Sequence, residues 1–265
     1  MTKASDYLNI NRESWNNRLV SHITSDFYDV ENFKKGKNSL NSIELELFGE
    51  LKGKKVLHLQ CHFGQDTISL ARMGAECVGV DLSNKAIKYA TQLNEELGTN
   101  ARFICSDIYA LPEVLNEKFD IVFTSYGTIG WLPDLEKWAA VISKFLKKGG
   151  KFVFAEFHPV VWMFDDNFKK IAYPYRSKNA IIESETGTYA DKDAAIEQEF
   201  VVWNHGISDV LSGLIEEGLQ IEKFEEFDYS PYNCFNGTKE FEPGKYYIEH
   251  LQGKIPMVYA LTARK

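Results

Sequence analysis

Two aspartates stand where predicted strands end, and their spacing suits the recognition of a nucleoside. Asp81 closes the predicted strand Glu76–Asp81, and Asp107 follows the predicted strand Arg102–Cys105. A carboxylate at the end of the second strand can accept hydrogen bonds from both hydroxyls of a ribose. Asp81 also follows Gly64 by seventeen residues, close to the spacing used by nucleoside-binding βαβ units. Asp107 could accept from an exocyclic adenine amine, so the pair favours a ligand with a diol, an adenine and no phosphates.

Other candidate residues lie at or just after the ends of strands that should meet at the same edge of the sheet, where open α/β sheets bind their ligands. The further candidates for ligand contacts are His58, Gln60, Cys61, His62, Gly64, Leu82, Ser106, Ile108, Ser125 and Tyr126. His158 ends the fifth strand beside the expected reacting centre, where it could orient or deprotonate a substrate as a catalytic residue. The alternative is a polar residue that satisfies its own turn.

Aromatic side chains could form the wall of a substrate pocket, although in such folds they also serve simply as core. The candidates are Trp15, Tyr28, Trp131, Trp162 and Trp203. Trp15 and Tyr28 would belong to a lid over the ligand, or else to a staple that packs an N-terminal helix onto the sheet. No metal site is expected, because His58 and His62 share no helical face and have no apparent third ligand.

The elements that must position these residues alternate between short apolar strands and amphipathic helices. Five strands are predicted at Lys55–Gln60, Glu76–Asp81, Arg102–Cys105, Phe119–Ser125 and Lys151–Phe157. The helices predicted between them are Gly64–Met73, Asn84–Leu97, which Ser83 should cap, and Asp134–Lys148, which Asp134 should cap. This alternation indicates a parallel sheet with helices on both faces.

The pattern changes after Phe157. The predicted elements there are an antiparallel pair at Ala180–Thr188 and Ile196–Trp203, a helix at Ser208–Glu217, and two closing strands at Gln220–Tyr229 and Met257–Ala263. The fold class is therefore α/β, with a seven-stranded mixed sheet, an N-terminal helical cap and a β insertion after the fifth strand. Within one expected domain, 1–265, the cap or lid is 1–45, the core is 50–157, and the substrate-side insertions are 158–205 and 230–256.

The order and spacing of these motifs resemble the class I S-adenosylmethionine (SAM)-dependent methyltransferases, in the branch that acts on small molecules. The matching runs are Val56–Thr67 for the first motif, Val78–Ser83 for the acidic second element, Ser106–Ile108 for the adenine-contacting element, and Phe119–Val122 and Leu146–Lys151 for the elements around the fourth and fifth strands. The resemblance implies a Rossmann-like sheet, SAM as the cofactor and S-adenosylhomocysteine (SAH) as the product.

The first motif departs from the family pattern at three positions. The family normally carries an acid where this chain has His58, and glycines where it has Gln60 and His62, so only Gly64 of the usual glycines remains. Backbone groups make most contacts in this loop. The carbonyl of Gln60, or an N-terminal residue, is expected to accept from the SAM ammonium in place of the missing acid.

The function that follows is transfer of the sulfonium methyl group to a small-molecule acceptor by in-line displacement. Two alternatives remain: a non-catalytic SAM- or SAH-binding sensor or partner subunit, and a nicotinamide-dependent oxidoreductase. The chain lacks GxGxxG and GxxxxGK[ST] loops, and none of its thirteen tyrosines has a lysine four residues later. The oxidoreductase is therefore the weaker alternative.

Charge and composition narrow the partners and the compartment. The 265 residues carry a formal net charge of −8, which argues against a nucleic-acid partner because phosphate binding needs a basic face. No apolar run has the length of a membrane span, and no apolar signal core follows the N-terminus. The four cysteines form no CxxC pair, as expected of reduced thiols. We therefore expect a cytoplasmic monomer or homodimer.

Overall fold

Strands and helices alternate in a computed structural model, which describes residues 3–265. The α-helices in this range are α1 (Tyr7–Thr24), α2 (Val30–Lys34), α3 (Ser42–Phe48), α4 (Gln65–Arg72), α5 (Asn84–Glu96), α6 (Leu111–Val114), α7 (Leu135–Phe145) and α8 (Ile207–Glu216). The strands are β1 (Lys55–Leu59), β2 (Glu76–Asp81), β3 (Arg102–Cys105), β4 (Phe119–Ser125), β5 (Leu146–Phe157), β6 (Ile181–Thr186), β7 (Glu197–Val202), β8 (Gln220–Phe227), β9 (Thr238–Glu242), β10 (Lys245–Ile248) and β11 (Val258–Arg264).

Seven strands form one mixed sheet in the order β3-β2-β1-β4-β5-β11-β8. The strands from β1 to β5 pair in parallel, whereas β11 is antiparallel to both β5 and β8. Strand order reverses between β1 and β4, and in open α/β sheets such a switch point carries the ligand crevice. The predicted Rossmann-like seven-stranded sheet is confirmed, as are the two closing strands.

Side-chain alternation along β1 shows why helices cover both faces of the sheet. Leu57 and Leu59 lie in an apolar cluster with Trp138 of α7. Val56 lies in a second cluster with Leu47 of α3. Successive residues of a strand point to opposite faces, so each apolar set needs its own layer of helices.

One predicted boundary is wrong. The helix predicted over Asp134–Lys148 ends at Phe145, and β5 begins at Leu146 rather than at Lys151. Long-range pairing decides this: Leu146 pairs with Phe119 of β4, and the N–H of Gly149 donates to the carbonyl of Lys265 at 2.8 Å. The other predicted core elements differ from the observed ones by at most two residues at either end. The predicted N-caps are confirmed, because the side chains of Ser83 and Asp134 accept from the first turns of α5 and α7.

The first helix joins the β insertion to the core. Asn11 makes two hydrogen bonds with the backbone of Val201 on β7, at 2.8 and 2.9 Å. Arg18 pairs with Glu185 of β6 at 3.0 Å. Asn16 accepts at 2.7 Å from the hydroxyl of Ser83, which lies between β2 and α5. The N-terminal helices and the antiparallel β6–β7 pair, both predicted from the sequence, therefore lie together over one edge of the main sheet.

The segment 230–256 contains an element that the sequence analysis did not predict. It forms an antiparallel hairpin from β9 and β10, and Ser230 bonds reciprocally to the backbone of Tyr246. Within residues 3–265, every helix is too short or too polar to cross a membrane.

Gly64 occupies a position where a side chain should be costly. Its φ of +84° is left-handed, and a Cβ there would approach the Phe103 ring to 2.6 Å and the Cβ of Ala90 to 2.9 Å. We expect Gly64→Ala to lower the free energy of unfolding by about 2 kcal/mol or more, because it adds overpacking to backbone strain. Urea unfolding monitored by circular dichroism measures this change.

Gly98→Ala is the matched control for Gly64→Ala. Gly98 has a φ of +62°, and no atom lies within 4 Å of the position that a Cβ would take there, so its substitution should cost the backbone strain alone. Equal losses of stability in the two variants would contradict the steric argument.

Candidate functional site

The carboxyl ends of the parallel strands open into one large cavity beneath α1 and the β insertion. Its volume is about 1120 Å³, which exceeds the range of roughly 300–1,000 Å³ typical of a single small-ligand pocket. All twelve residues predicted to contact the cofactor line this cavity, and so do all five predicted pocket aromatics. The predicted catalytic residue, His158, does not line it.

Asp81 lies at the end of β2 and is already oriented by the backbone. Its Oδ2 accepts from the N–H of His62 and its Oδ1 accepts from the N–H of Ser83, both at 2.8 Å. A carboxylate has about four acceptor positions, so each oxygen keeps capacity for a ligand hydroxyl. Burial raises the pKa of Asp81 to about 6, and the backbone donors oppose this rise.

The loop between β1 and α4 holds two non-glycine residues in left-handed conformation. Gln60 has a φ of 54° and His62 a φ of 51°, at the two positions where the resembling family carries glycine. The side chain of Gln60 donates from Nε2 to the carbonyl of Thr128 at 2.8 Å. Its Oε1 is buried and has no hydrogen-bond partner within residues 3–265. An unpaired buried acceptor is unfavourable, so this oxygen is suited to a donor supplied by a ligand.

Asp107 lies in the turn after β3, on the far side of Asp81 from β1. Burial raises the pKa of Asp107, and the nearby backbone N–H groups of the following turn, including that of Ile108, oppose the rise. Ser106 donates its N–H to the carbonyl of Asp81 at 3.0 Å, which ties the two acidic turns together. The two predicted acids therefore lie at neighbouring strand ends of the same cavity.

His58, at the position where the resembling family carries an acid, links β1 to α4. Its Nδ1 hydrogen-bonds with the hydroxyl of Thr67 at 2.8 Å, and its ring lies 4.7 Å from that of Phe123. Burial lowers the pKa of His58 to about 3, so the ring is neutral. It supplies no negative charge to the cavity.

Two buried histidines, His22 and His62, join α1 to the loop between β1 and α4. The sequence analysis did not single out His22. The N–H of Phe63 donates to Nδ1 of His62 at 2.7 Å, so the proton of the neutral His62 ring is on Nε2. His62 donates this proton from Nε2 to Nδ1 of His22 at 2.8 Å. His22 therefore carries its own proton on Nε2, which is buried and has no hydrogen-bond partner in the described chain. Burial lowers the pKa of His22 to about 3 and that of His62 well below its ordinary value, so both rings stay neutral.

An aromatic wall covers the loop. The ring of Trp15 meets those of Trp131 at 5.0 Å and His62 at 5.2 Å. The guanidinium of Arg18, which is 3% exposed, lies 5.1–5.4 Å from the rings of Trp15, Trp131 and Phe200. Arg18 and Phe200 had no local sequence signal, because the stack joins α1, β7 and the turn after β4.

The other predicted aromatics occupy different parts of the cavity. Tyr28 packs on Phe63 at 4.7 Å, and its hydroxyl bonds to that of Tyr189. Trp203 is buried against Tyr7 at 5.3 Å, whereas Trp162 is 41% exposed at the rim. Tyr28 and Trp203 therefore also serve as core, the alternative that the sequence had left open.

Glu156, the next-to-last residue of β5, organises the cavity wall and was also missed. Its Oε2 accepts from the N–H and hydroxyl of Thr128, at 2.8 and 3.0 Å, and from the N–H of Ile129 at 3.2 Å. Its Oε1 accepts from the N–H groups of Gly127 and Phe157. The available signal was a carboxylate within the otherwise apolar run Phe152–Phe157. Burial raises the pKa of Glu156 while these donors oppose the rise.

His158, predicted as a catalytic residue, does not line the cavity, and its contacts favour the alternative of a polar residue that satisfies its own turn. Its Nδ1 accepts from the N–H of Val160 at 3.2 Å, and its Nε2 donates to Glu226 of β8 at 2.9 Å. Both ring nitrogens are thus occupied outside the cavity, next to the ring of Tyr259. The N–H of His158 donates to the carbonyl of Met257, which precedes β11. This bond holds His158 beside β11 and away from the ends of β1 to β4.

Within the part of the chain that the structure describes, no three His, Cys, Asp or Glu side chains are grouped to hold a metal ion. His58 and His62 instead bond to Thr67 and His22, respectively.

Comparisons with known proteins agree with this geometry. A family model described as a methyltransferase domain matches residues 50–227. The chain is 34% identical over 131 residues to an uncharacterized methyltransferase of Synechocystis, which covers 49% of this chain and 59% of that protein. It is 29% identical over 138 residues to a ubiquinone biosynthesis O-methyltransferase of Coxiella burnetii, which covers 51% and 58%, respectively. The chain thus spans less than two thirds of these relatives.

Solved structures share the fold over nearly the whole chain. A SAM-dependent methyltransferase from Clostridium acetobutylicum superimposes with a TM-score of 0.58 at 18% identity, covering 96% of this chain and 98% of that one. A geranyl diphosphate C-methyltransferase from Streptomyces coelicolor, solved with Mg²⁺, geranyl diphosphate and SAH, gives a TM-score of 0.62 at 14% identity, covering 100% and 99%.

Proposed function

Because this chain belongs to the methyltransferase-domain family, we propose that it is a SAM-dependent methyltransferase acting on a small-molecule acceptor. The observation that carries the proposal is the placement of Asp81 and Asp107 at neighbouring strand ends, in one cavity with the loop around Gln60. Two acids and an unpaired amide oxygen suit a ligand that has a diol, an adenine and an ammonium group.

The residues present fit SAM, which supplies an electrophilic methyl group on a sulfonium. Asp81 would hold the ribose hydroxyls with the acceptor capacity left beside its two backbone bonds. Asp107 and Ile108 would contact the adenine. Gln60 would accept from the ammonium through its unpaired Oε1, and thereby replace the acid that the family carries at the position of His58.

The acceptor would lie between the end of β4 and the two insertions. Trp131, Trp162 and Trp203 line that part of the cavity, and aromatic walls exclude water and orient planar or apolar molecules. In such a reaction the chain contributes mainly positioning and a dry environment. The volume beyond a single-ligand pocket leaves room for cofactor and acceptor together.

Ligand binding and methyl transfer together test this function. SAM and SAH should each raise the melting temperature, because both bind only the folded chain, and NAD should not. Transfer of a labelled methyl group from SAM to amines, phenols, thiols or acids should then follow. Stabilisation by SAH without any transfer would favour the sensor, and stabilisation by NAD alone would overturn the proposal.

A further inference from the structure

Glu44 is a buried carboxylate whose charge the local structure does not require. It is the third residue of α3, 0% exposed, and its Oε1 accepts from the N–H of Asn41 at 2.6 Å in a capping box. Glutamate is almost never fully buried without a partner. Glutamine serves in capping boxes as well as glutamate does, so the cap alone does not explain an ionisable group here.

Tyr126 connects this carboxyl group to the cavity. Its hydroxyl donates to Oε2 of Glu44 at 2.8 Å. Tyr126 lines the cavity and Glu44 does not, so the phenol stands between the carboxyl group and any ligand. Tyr126 also has a φ of 42°, and strained residues of this kind cluster at functional sites.

The position of Tyr126 in the sheet places it toward the acceptor. It follows β4, which neighbours β1 on the side opposite β2 and β3. Asp81 and Asp107 lie at the ends of β2 and β3, so the nucleoside end of a ligand would lie away from Tyr126. The reacting end would then extend past β1 toward β4.

We propose that Tyr126 and Glu44 form a proton relay that deprotonates a hydroxyl or N–H methyl acceptor, an inference that rests on the proposed methyltransferase function. The acceptor proton passes to Oη of Tyr126 while the Tyr126 proton passes to Oε2 of Glu44. The electron pair left on the acceptor forms the bond to the methyl carbon, whose bond to sulfur breaks with its electrons. Glu44 then carries the proton as a neutral acid and releases it to solvent after the product leaves.

The surroundings of Glu44 suit this role. The titratable groups that interact with Glu44 are Asp66, Tyr126 and Tyr232. The two strands packed against α3, which are β5 and β11, also carry Lys147, Lys148, Lys151, Glu156, Tyr259 and Arg264. Burial and the neighbouring Asp66 raise the pKa of Glu44 to about 7, while the Asn41 N–H and the Tyr126 hydroxyl oppose this rise. A general base works best when its pKa is near the operating pH. The carboxylate form accumulates as pH rises through about 7, so the rate should rise over the same range.

Glu44→Gln tests the relay while it preserves the cap, and Glu46→Gln, on an exposed position of the same helix, is the matched control. The probes are 4-methylphenol, which must lose a proton, and 4-nitrophenol, which is already ionised at mildly alkaline pH. We expect Glu44→Gln to slow methylation of 4-methylphenol roughly 100-fold and to remove the rise near pH 7. Methylation of 4-nitrophenol should change by less than about threefold.

Tyr126→Phe removes the hydroxyl and should give the same selective loss, since the Tyr126 backbone bond to Ala155 is retained. Equal slowing of both phenols, or an unchanged rate with 4-methylphenol, would overturn the relay. If calorimetry shows that the wild-type protein binds SAH but it methylates neither phenol, infrared titration of the protein labelled with ¹³C-glutamate tests the protonation of Glu44 directly. A carboxyl group that titrates near pH 7 and is absent only in Glu44→Gln supports the relay, and its absence in the wild type overturns it. Failure of the wild type to bind SAH would instead overturn the proposed function, and the relay with it.

Discussion

Replacing Asp81 with asparagine is expected to weaken SAH binding by at least about 100-fold, because two hydrogen bonds to a charged acceptor are lost or weakened. At an SAH concentration that saturates the wild type, the ligand-induced rise in melting temperature should disappear. Each variant is compared with its own ligand-free form. This comparison separates loss of binding from the smaller loss of stability caused by disturbing the bonds from His62 and Ser83.

Glu136→Gln, which alters an exposed acid of α7 outside the cavity, is the control for Asp81→Asn. If SAH raises the melting temperature of Asp81→Asn as much as that of the wild type, Asp81 does not belong to the binding site.

The pH dependence of SAH binding is a second test of Asp81: the affinity for SAH should fall as pH drops below about 6, where Asp81 becomes protonated. In the free protein the folded state binds this proton more tightly than the unfolded state, so the stability contributed by Asp81 is present at acid pH and lost as pH rises through about 6.

Replacing Glu156 with alanine is expected to lower the free energy of unfolding by about 3 kcal/mol or more. The substitution leaves the N–H groups of Gly127, Thr128, Ile129 and Phe157 without their acceptor, and each unsatisfied buried donor costs about 1–3 kcal/mol. Chemical denaturation measures the loss. Because three of these donors, those of Gly127, Thr128 and Ile129, belong to the turn beside Tyr126, methyl transfer should fall as well.

Glu156→Gln is informative because it keeps the size of the side chain. Its amide would place two N–H donors against donors of the turn, so we expect a loss of stability smaller than that of the alanine variant but still measurable. The exposed Glu136→Gln change should again have almost no effect. A loss below about 1 kcal/mol in Glu156→Ala would mean that water or a rearranged turn satisfies these donors.

Elements whose signals are local could be predicted well from the sequence. The strands Glu76–Asp81, Arg102–Cys105 and Phe119–Ser125 have the predicted bounds, because apolar runs, caps and glycines act within a few residues. The two acids at strand ends could be placed for the same reason: once a parallel sheet is predicted, its carboxyl ends must share one edge.

Signals that depend on distant partners could not be read. Leu146 begins β5 only because Phe119 lies beside it. His158 lies outside the cavity because its backbone bonds to Met257 beside β11 and its ring bonds to Glu226 on β8. Three of the residues that were missed, His22, Glu44 and Glu156, are buried polar groups. Each has partners far away in the chain, at separations of 40, 82 and 27–29 residues, respectively.

The sequence by itself therefore determined the family's sheet and the edge at which a nucleoside-bearing ligand would lie, since periodicity and spacing encode both. Only the tertiary structure decided which polar groups are buried, how they are paired, and whether they face the cavity. The physical reason is that desolvation and hydrogen bonding depend on what packs against a side chain. The side chain or strand that packs against His158 comes nearly a hundred residues later, at β11. Tyr126 bonds to Glu44, which lies on a helix that precedes the sheet.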